Sequence, residues 1–252
     1  VRLIQKDGTI ITPNFFLPAA ELSNNMYKIT ETVFLKTLDM INLSDKKYTF
    51  SVNISYSDMQ NHTFLTLVKK HLSDPSVAQK VCFEILETQS YNNKESIEHF
   101  IQTVQKLGAS VAIDDVGSGY ANYENLIQMD IDIIKIDGSL IENINKNQGA
   151  YDIVDSLVNF AKKRNIKTIA EFVRNKDIFH TVEKIGIDYA QGYYIDKPSM
   201  EIETTDDIYE VQENEPFKTI AYISKATDGV NYDKAQEILN NSWNKNRKNN
   251  IG

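Results

Sequence analysis

Apolar positions along the chain fall into two alternating patterns. Short, near-continuous apolar runs occur at Val1–Ile4, Tyr48–Ile54, Val81–Leu86, Ala109–Ile113, Ile131–Ile136, Lys167–Phe172 and Ile187–Ala190. They have strand length and are rich in β-branched residues, which predicts parallel strands buried on both faces. Between them the period becomes helical. The spacing predicts a helix over Met26–Met40, with Met26, Ile29, Val33 and Met40 on one face. A second is predicted over Asp152–Lys163, with Ile153, Leu157, Val158 and Ala161 turned inward. Alternation of this kind makes the chain α/β, and seven units within residues 1–200 favour a (β/α)8 TIM-like barrel, its first strand truncated at the N-terminus, over a doubly wound sheet. A barrel places its chemistry at the C-terminal ends of the strands.

Those ends are polar. Asn53 lies near the end of the second run, and Glu84 and Glu87 lie towards the end of the third. Asp114 and Asp115 follow the fourth, Lys135 and Asp137 close the fifth, Glu171 closes the sixth, and Gln191 follows the seventh. Carboxylates gathered at one mouth repel each other, so some must take up protons or share a cation. The donors are oxygens, with no His or Cys at metal spacing, which suits Mg²⁺ or Mn²⁺ better than Zn²⁺. Neighbouring aspartates can also address two ions. An Asp-Asp pair before a Gly-rich loop is equally a cap-and-turn signature. Glu84 taken alone is ambiguous. Lys135 inside an apolar strand demands a partner. In Asp115–Tyr120 (DVGSGY), Gly117 and Gly119 permit tight turns or close approach to a ligand. Neither a P-loop lysine nor the full dinucleotide fingerprint accompanies them.

Composition narrows the picture. The 252 residues are 41% apolar, which excludes a disordered chain. No apolar run is long enough to span a bilayer and no signal-peptide pattern opens the sequence, so a cytoplasmic protein without a membrane segment is expected. Cys82 is the one cysteine and reads as a small core residue. Lys and Arg number 27 against 35 Asp and Glu, a net charge of -8, which argues against DNA or RNA as partner. Residues 201–215 hold seven acids and no base, the pattern of a linker or of a solvated helix face. The expected division is a barrel over 1–200, an acidic linker over 201–215, and a β-α segment over 216–252. In that last segment, 217–225 has a strand pattern and Asp233–Lys245 a helical one.

Taken together, the motifs over 1–200 resemble the EAL family of bacterial cyclic di-GMP phosphodiesterases and receptors. Glu84–Glu87 (EILE), Asp114–Tyr120 (DDVGSGY), Lys135–Asp137 (KID), Ala170–Glu171 (AE) and Gln191–Tyr193 (QGY) follow in the family's order. Upstream, Pro13–Glu21 (PNFFLPAAE) and Ser51–Ser55 (SVNIS) also fit. The resemblance implies hydrolysis of cyclic di-GMP to linear pGpG with two Mg²⁺ or Mn²⁺ ions. It implies Asn53, Glu84, Asp114, Asp115 and Glu171 as metal-site residues. Lys135 would orient or polarise the attacking water, with Gln191 assisting. Glu87 would brace the Gly-rich loop, and Arg2 would hold a substrate phosphate. A homodimer through Asn122–Met129 is consistent with the family's habit.

Departures leave a second function open, a catalytically impaired receptor for cyclic di-GMP or a signalling scaffold. The family's Glu-Ala-Leu motif precedes the Val1-Arg2 position, so its leading glutamate is not in this chain. Leu86 replaces a usual threonine, Phe172 a glycine, and Arg174 a glutamate. A positive charge at Arg174 is expected to weaken metal binding or ligand fit. The 216–252 segment resembles the opening of BLUF flavin photosensors through Tyr222, Ser224 and Asn246. Such a domain needs a later strand bearing a glutamine, so no flavin is expected on this segment.

Overall fold

The computed structural model describes residues 1–43, 48–88, 94–118 and 129–196, with the backbone of 218–219. Its centre is a parallel sheet of seven strands among the described residues, hydrogen-bonded in chain order. With β1 (Leu3–Ile4) and β2 (Ile10–Ile11) set apart, the sheet runs β3 (Phe50–Ile54), β4 (Val81–Leu86), β5 (Ser110–Val116), β6 (Ile133–Ile136), β7 (Lys167–Ala170), β8 (Tyr189–Ala190) and β9 (Lys218–Thr219). Sequential order without reversal, with helices between the strands, is the TIM-barrel-like arrangement of the α/β class.

The first apolar run behaves differently from expectation. Leu3–Ile4 does not join the parallel sheet but pairs antiparallel with Ile10–Ile11. The reason is local: Gly8 turns with a φ of 84°, Gln5 N–H donates to the Thr9 carbonyl at 2.8 Å, and Thr9 N–H donates to Asp7 Oδ1 at 2.9 Å. A tight turn lets the strand satisfy its own backbone. At the other end, β9 lies within the segment expected to be a separate extension, yet it pairs parallel with β8. The acidic stretch at 201–215 and the helix expected at 233–245 lie outside the described residues.

The two faces of the sheet have opposite chemistry. Strand register puts Phe50, Val52 and Ile54 beside Val81, Phe83 and Ile85. These side chains face the helices and are buried, with exposures of 0% for Val52, Phe83 and Ile85. Phe83 stacks on Phe34 at 5.9 Å and meets Phe100 edge-on at 5.4 Å, joining the helices Met26–Leu43 and Lys94–Leu107 to the strand. The alternate residues, including Asn53, Glu84, Ala112, Ile133 and Lys135, share the other face. The runs are therefore apolar towards the helices and increasingly polar along the inner face.

Both predicted helices form, each with its buried face corrected. Met26–Leu43 buries Thr30, Phe34, Leu38 and Ile41, while Val33 and Met40 are only partly buried against the core. Thr30 draws the buried face round because its Oγ1 donates to the fully buried Asp58 Oδ2 at 2.8 Å. In Gln148–Arg164, Leu157, Val158 and Ala161 are buried as expected, but Ile153 is exposed and Val154 takes its place. Leu157→Ala is expected to cost about 2–5 kcal/mol in urea unfolding. Ile153→Thr should stay within roughly 0.5 kcal/mol of the unmodified chain. Equal losses at the two positions would contradict this assignment of the face.

Candidate active site

Lys135 is the point where the strand ends meet. Its ammonium is 2% exposed, and Nζ donates to Asp114 Oδ1 at 2.7 Å and to Glu84 Oε2 at 3.3 Å. Glu171 Oε1 lies 3.0 Å away. Four consecutive strands thus contribute one charged group each, from β4, β5, β6 and the residue after β7. A buried lysine is tolerable only with such partners. The partners in turn are carboxylates, all buried, that could not sit together without it.

Asp115 reaches the same place by a backbone irregularity. In a regular strand, adjacent side chains point to opposite faces. Between the pairs Ile113↔Ile134 and Val116↔Ile136, β5 carries one residue more than β6, a bulge at the two aspartates. Asp115 there adopts φ 59°, a left-handed conformation uncommon for a side-chain-bearing residue. As a result, Asp114, Asp115 and Glu171 each offer a carboxylate oxygen within 4.8 Å of the others. Asp114 lies in a strand and in an ion pair, while the segment that the pair could cap lies outside the described residues.

Burial pushes the Glu171 carboxyl up from 4.5 to about 7, opposed by Lys135 and reinforced by Asp114 and Asp115. Burial, then the charge of Asp114, also raises Asp115. Four acids around one lysine leave an excess of negative charge even after pairing. A divalent cation relieves that excess, and the all-oxygen donor set suits a hard ion. A further observation points the same way: Gln191 Oε1 is buried and accepts no hydrogen bond among the described residues.

The other expected residues fall around this cluster. Asn53 pairs in register with Glu84 on the same face and is exposed. Glu87 is buried, and its Oε2 accepts the Gly117 N–H at 3.1 Å. Gly117 holds φ 96°, and a Cβ there would lie 2.4 Å from Leu140 Cδ1, so the loop's start requires glycine. Residues 119–128, with Gly119 and most of the segment expected at a dimer contact, lie outside the described residues. Arg2 is exposed, its Nη1 donating to the Val1 carbonyl at 2.7 Å; the described contacts do not join it to the cluster. Asp137 turns away to cap Gly138–Ile141, accepting the Ser139 N–H at 2.9 Å. Cys82 is buried on the inner face, its thiol pushed up to about 12 by burial and by Glu84, which makes it inert.

Arg174 has a partner that the sequence does not announce. Its guanidinium pairs with Glu142 on an exposed flank. Sequence reasoning missed the bulge and the Glu142 partner. The first has a faint signal in two adjacent acids inside one strand; the second, 32 positions away, has none.

The model of the EAL domain family matches residues 1–198. The chain belongs to the EAL family. Cyclic di-GMP phosphodiesterase PdeF of Escherichia coli K12 is 33% identical over 218 residues, covering 85% of this chain and 29% of that protein. Cyclic di-GMP phosphodiesterase PdeB of Shewanella oneidensis is 34% identical over 202 residues, covering 79% and 24%. This EAL chain thus spans less than a third of these relatives. Among solved structures, the FimX EAL domain of Pseudomonas aeruginosa bound to c-di-GMP superposes with TM-score 0.73 at 23% identity, covering 80% of this chain and 83% of the other. An EAL domain protein of Listeria monocytogenes EGD-e gives 0.69 at 26% identity, covering 78% of each. The family match stops short of 216–252, so the likeness of that segment to flavin photosensors gains no support from it. No helix among the described residues is long and apolar enough to cross a membrane.

Because Glu171 has a higher pKa folded than unfolded, its protonated form favours the native state. That contribution is complete below about pH 4.5 and is lost as pH rises through about 7. Metal-free protein should therefore lose stability across this window. Glu171→Gln should flatten the slope in urea unfolding at stepped pH. An unchanged slope would contradict the assignment.

Proposed function

We propose that this EAL chain forms the catalytic barrel of a metal-dependent phosphodiesterase that opens cyclic di-GMP to linear pGpG. The observation that carries the reading is the convergence of Glu84, Asp114, Asp115 and Glu171 around Lys135 at the C-terminal ends of the strands. The names of the relatives support the same chemistry.

In this reading Asp114, Asp115 and Glu171 hold Mg²⁺ or Mn²⁺, with Glu84 and Asn53 completing the donor set. When bound, such ions supply Lewis acidity to water and to the phosphoryl oxygens. The chain's own groups do the positioning. Lys135 engages three carboxylates with its three N–H donors, and one of these donors would turn to the reacting water. Gln191 Oε1, buried and unpartnered among the described residues, accepts a hydrogen bond from that water. Glu87 holds the start of the Gly-rich loop through the Gly117 N–H. Arg2 offers a planar donor pair to a substrate phosphate, for which its exposed side chain has to swing from the Val1 carbonyl. Residues 1–200 carry this function, as a monomer or as a homodimer, with Lys218–Thr219 adding a strand beside β8.

Leu86 sits opposite Asp114 on the inner face and offers no hydroxyl to it. Arg174 is held by Glu142, so its charge is no obstacle to the cluster. Asp114→Asn should keep the fold and reduce pGpG formation in Mn²⁺ by more than the roughly 10–100-fold that a supporting residue costs a metal site. Product chromatography after incubation with cyclic di-GMP measures this. Turnover that survives in Asp114→Asn contradicts the assignment; binding without product in the unmodified protein turns the reading towards a receptor.

A further inference from the structure

Directly after Glu171, the backbone does something costly. Phe172 adopts φ 53°, in the left-handed region that a bulky L residue enters only when its surroundings impose it. Backbone of this kind concentrates at ligand-binding and catalytic positions. The side chain does not repay the conformation by burial, since it remains 54% exposed. One side of it rests on Gly138, where a Cβ would stand 2.5 Å from Phe172 Cδ2 and 2.6 Å from Cγ. Only a glycine at 138 leaves room for the ring. Asp137, the neighbour of that glycine, ends the strand that carries Lys135.

The segment is also held from both sides. Val173 N–H donates to the Gln191 carbonyl at 2.9 Å, which ties it to the end of β8. Arg174 pairs with Glu142 in the turn after Gly138–Ile141. A strained backbone, a glycine seat and two anchors therefore keep an aromatic side chain at the rim of the carboxylate cluster, with half its surface open. A packing residue needs none of this. A flat, exposed ring beside a phosphodiester site fits a nucleobase, which stacks on aromatic faces whatever its hydrogen-bonding edge.

We propose that Phe172 is the stacking platform for one guanine of the cyclic dinucleotide, a positioning contact at the mouth of the barrel. The inference rests on the reading of the chain as a cyclic di-GMP site. Phe172 takes no part in the bond-breaking step; it fixes the base so that the adjoining phosphate lies over the Asp114–Asp115–Glu171 trio.

Equilibrium binding of cyclic di-GMP to the unmodified chain, with EDTA present to suppress turnover, is compared with Phe172→Ala, Phe172→Tyr and Phe172→Gly. Phe172→Ala should weaken binding about tenfold, the size of one lost base–aromatic stack, and Phe172→Tyr should restore it. Phe172→Gly should weaken binding while its unfolding midpoint stays at or above the original, because glycine relieves the left-handed backbone. Equal affinity in Phe172→Ala overturns the platform and leaves the functional reading intact. A fall in the midpoint of Phe172→Gly, without a change in affinity, makes the ring a packing residue and overturns it too. If the unmodified chain binds no cyclic di-GMP with or without Mn²⁺, the functional reading fails and the platform with it.

Discussion

A single buried ammonium governs the interior of this barrel. Lys135 Nζ is within 3.3 Å of three carboxylates that come from three other strand ends. Removing either side of that arrangement leaves uncompensated charge in a low-dielectric interior, and such a loss costs several kcal/mol, typically about 3–5. The lysine therefore does structural work before any chemistry. It lets β4, β5 and β7 direct acids to one place, and the parallel register of the sheet fixes where that place is. The lysine still does not balance the whole set: Glu171 and Asp115 remain pushed towards their protonated forms. That residual imbalance is what makes the cluster receptive to a cation.

The division of labour between the two faces of the sheet follows from the same constraint. The outer face is closed by an aromatic and aliphatic core in which Phe34, Phe83 and Phe100 pack against one another. Rigidity there holds the strand ends at fixed separations, as a preorganised electrostatic site requires. The inner face carries charged residues because Glu84, Asp114 and Glu171 each find Lys135. Among the described residues, left-handed backbone occurs at the rim, at Asp115 and Phe172, and at the helix ends Asn24 and Asn165, where asparagine tolerates it.

Much of this was legible in the chain itself. Strand-length apolar runs ending in Asn53, Glu84, Asp114, Lys135, Glu171 and Gln191 encode both the sheet order and the polar mouth, since each signal lies within a few neighbouring residues. What escaped the sequence depends on contacts between distant positions. The stripe Met26, Ile29, Val33 and Met40 points away from Thr30, which shares the buried face of Phe34, Leu38 and Ile41 and hydrogen-bonds Asp58. The charge read at Arg174 has a partner in Glu142, which lies too far along the chain to be read from it. Asp137 looks like a further member of the acid series, but the helix that begins beside it claims the carboxylate. Leu3–Ile4 has the composition of a barrel strand, and the turn through Lys6, Asp7 and Gly8 diverts it into a hairpin. The bulge at Asp114–Asp115 is an intermediate case: two acids in one strand hint at it, and only strand register reveals it.

The central claim is that the excess of carboxylate over lysine forms a cation site, and the thermal unfolding midpoint in the presence of Mn²⁺ tests it most directly. A ligand that binds the folded chain stabilises it by mass action, by about 2.7 kcal/mol at a hundred times its dissociation constant. The expected result is a midpoint that climbs with Mn²⁺ in the unmodified chain and responds far less in Glu171→Gln. A midpoint indifferent to Mn²⁺ and Mg²⁺, or one that climbs equally in both proteins, would contradict the account.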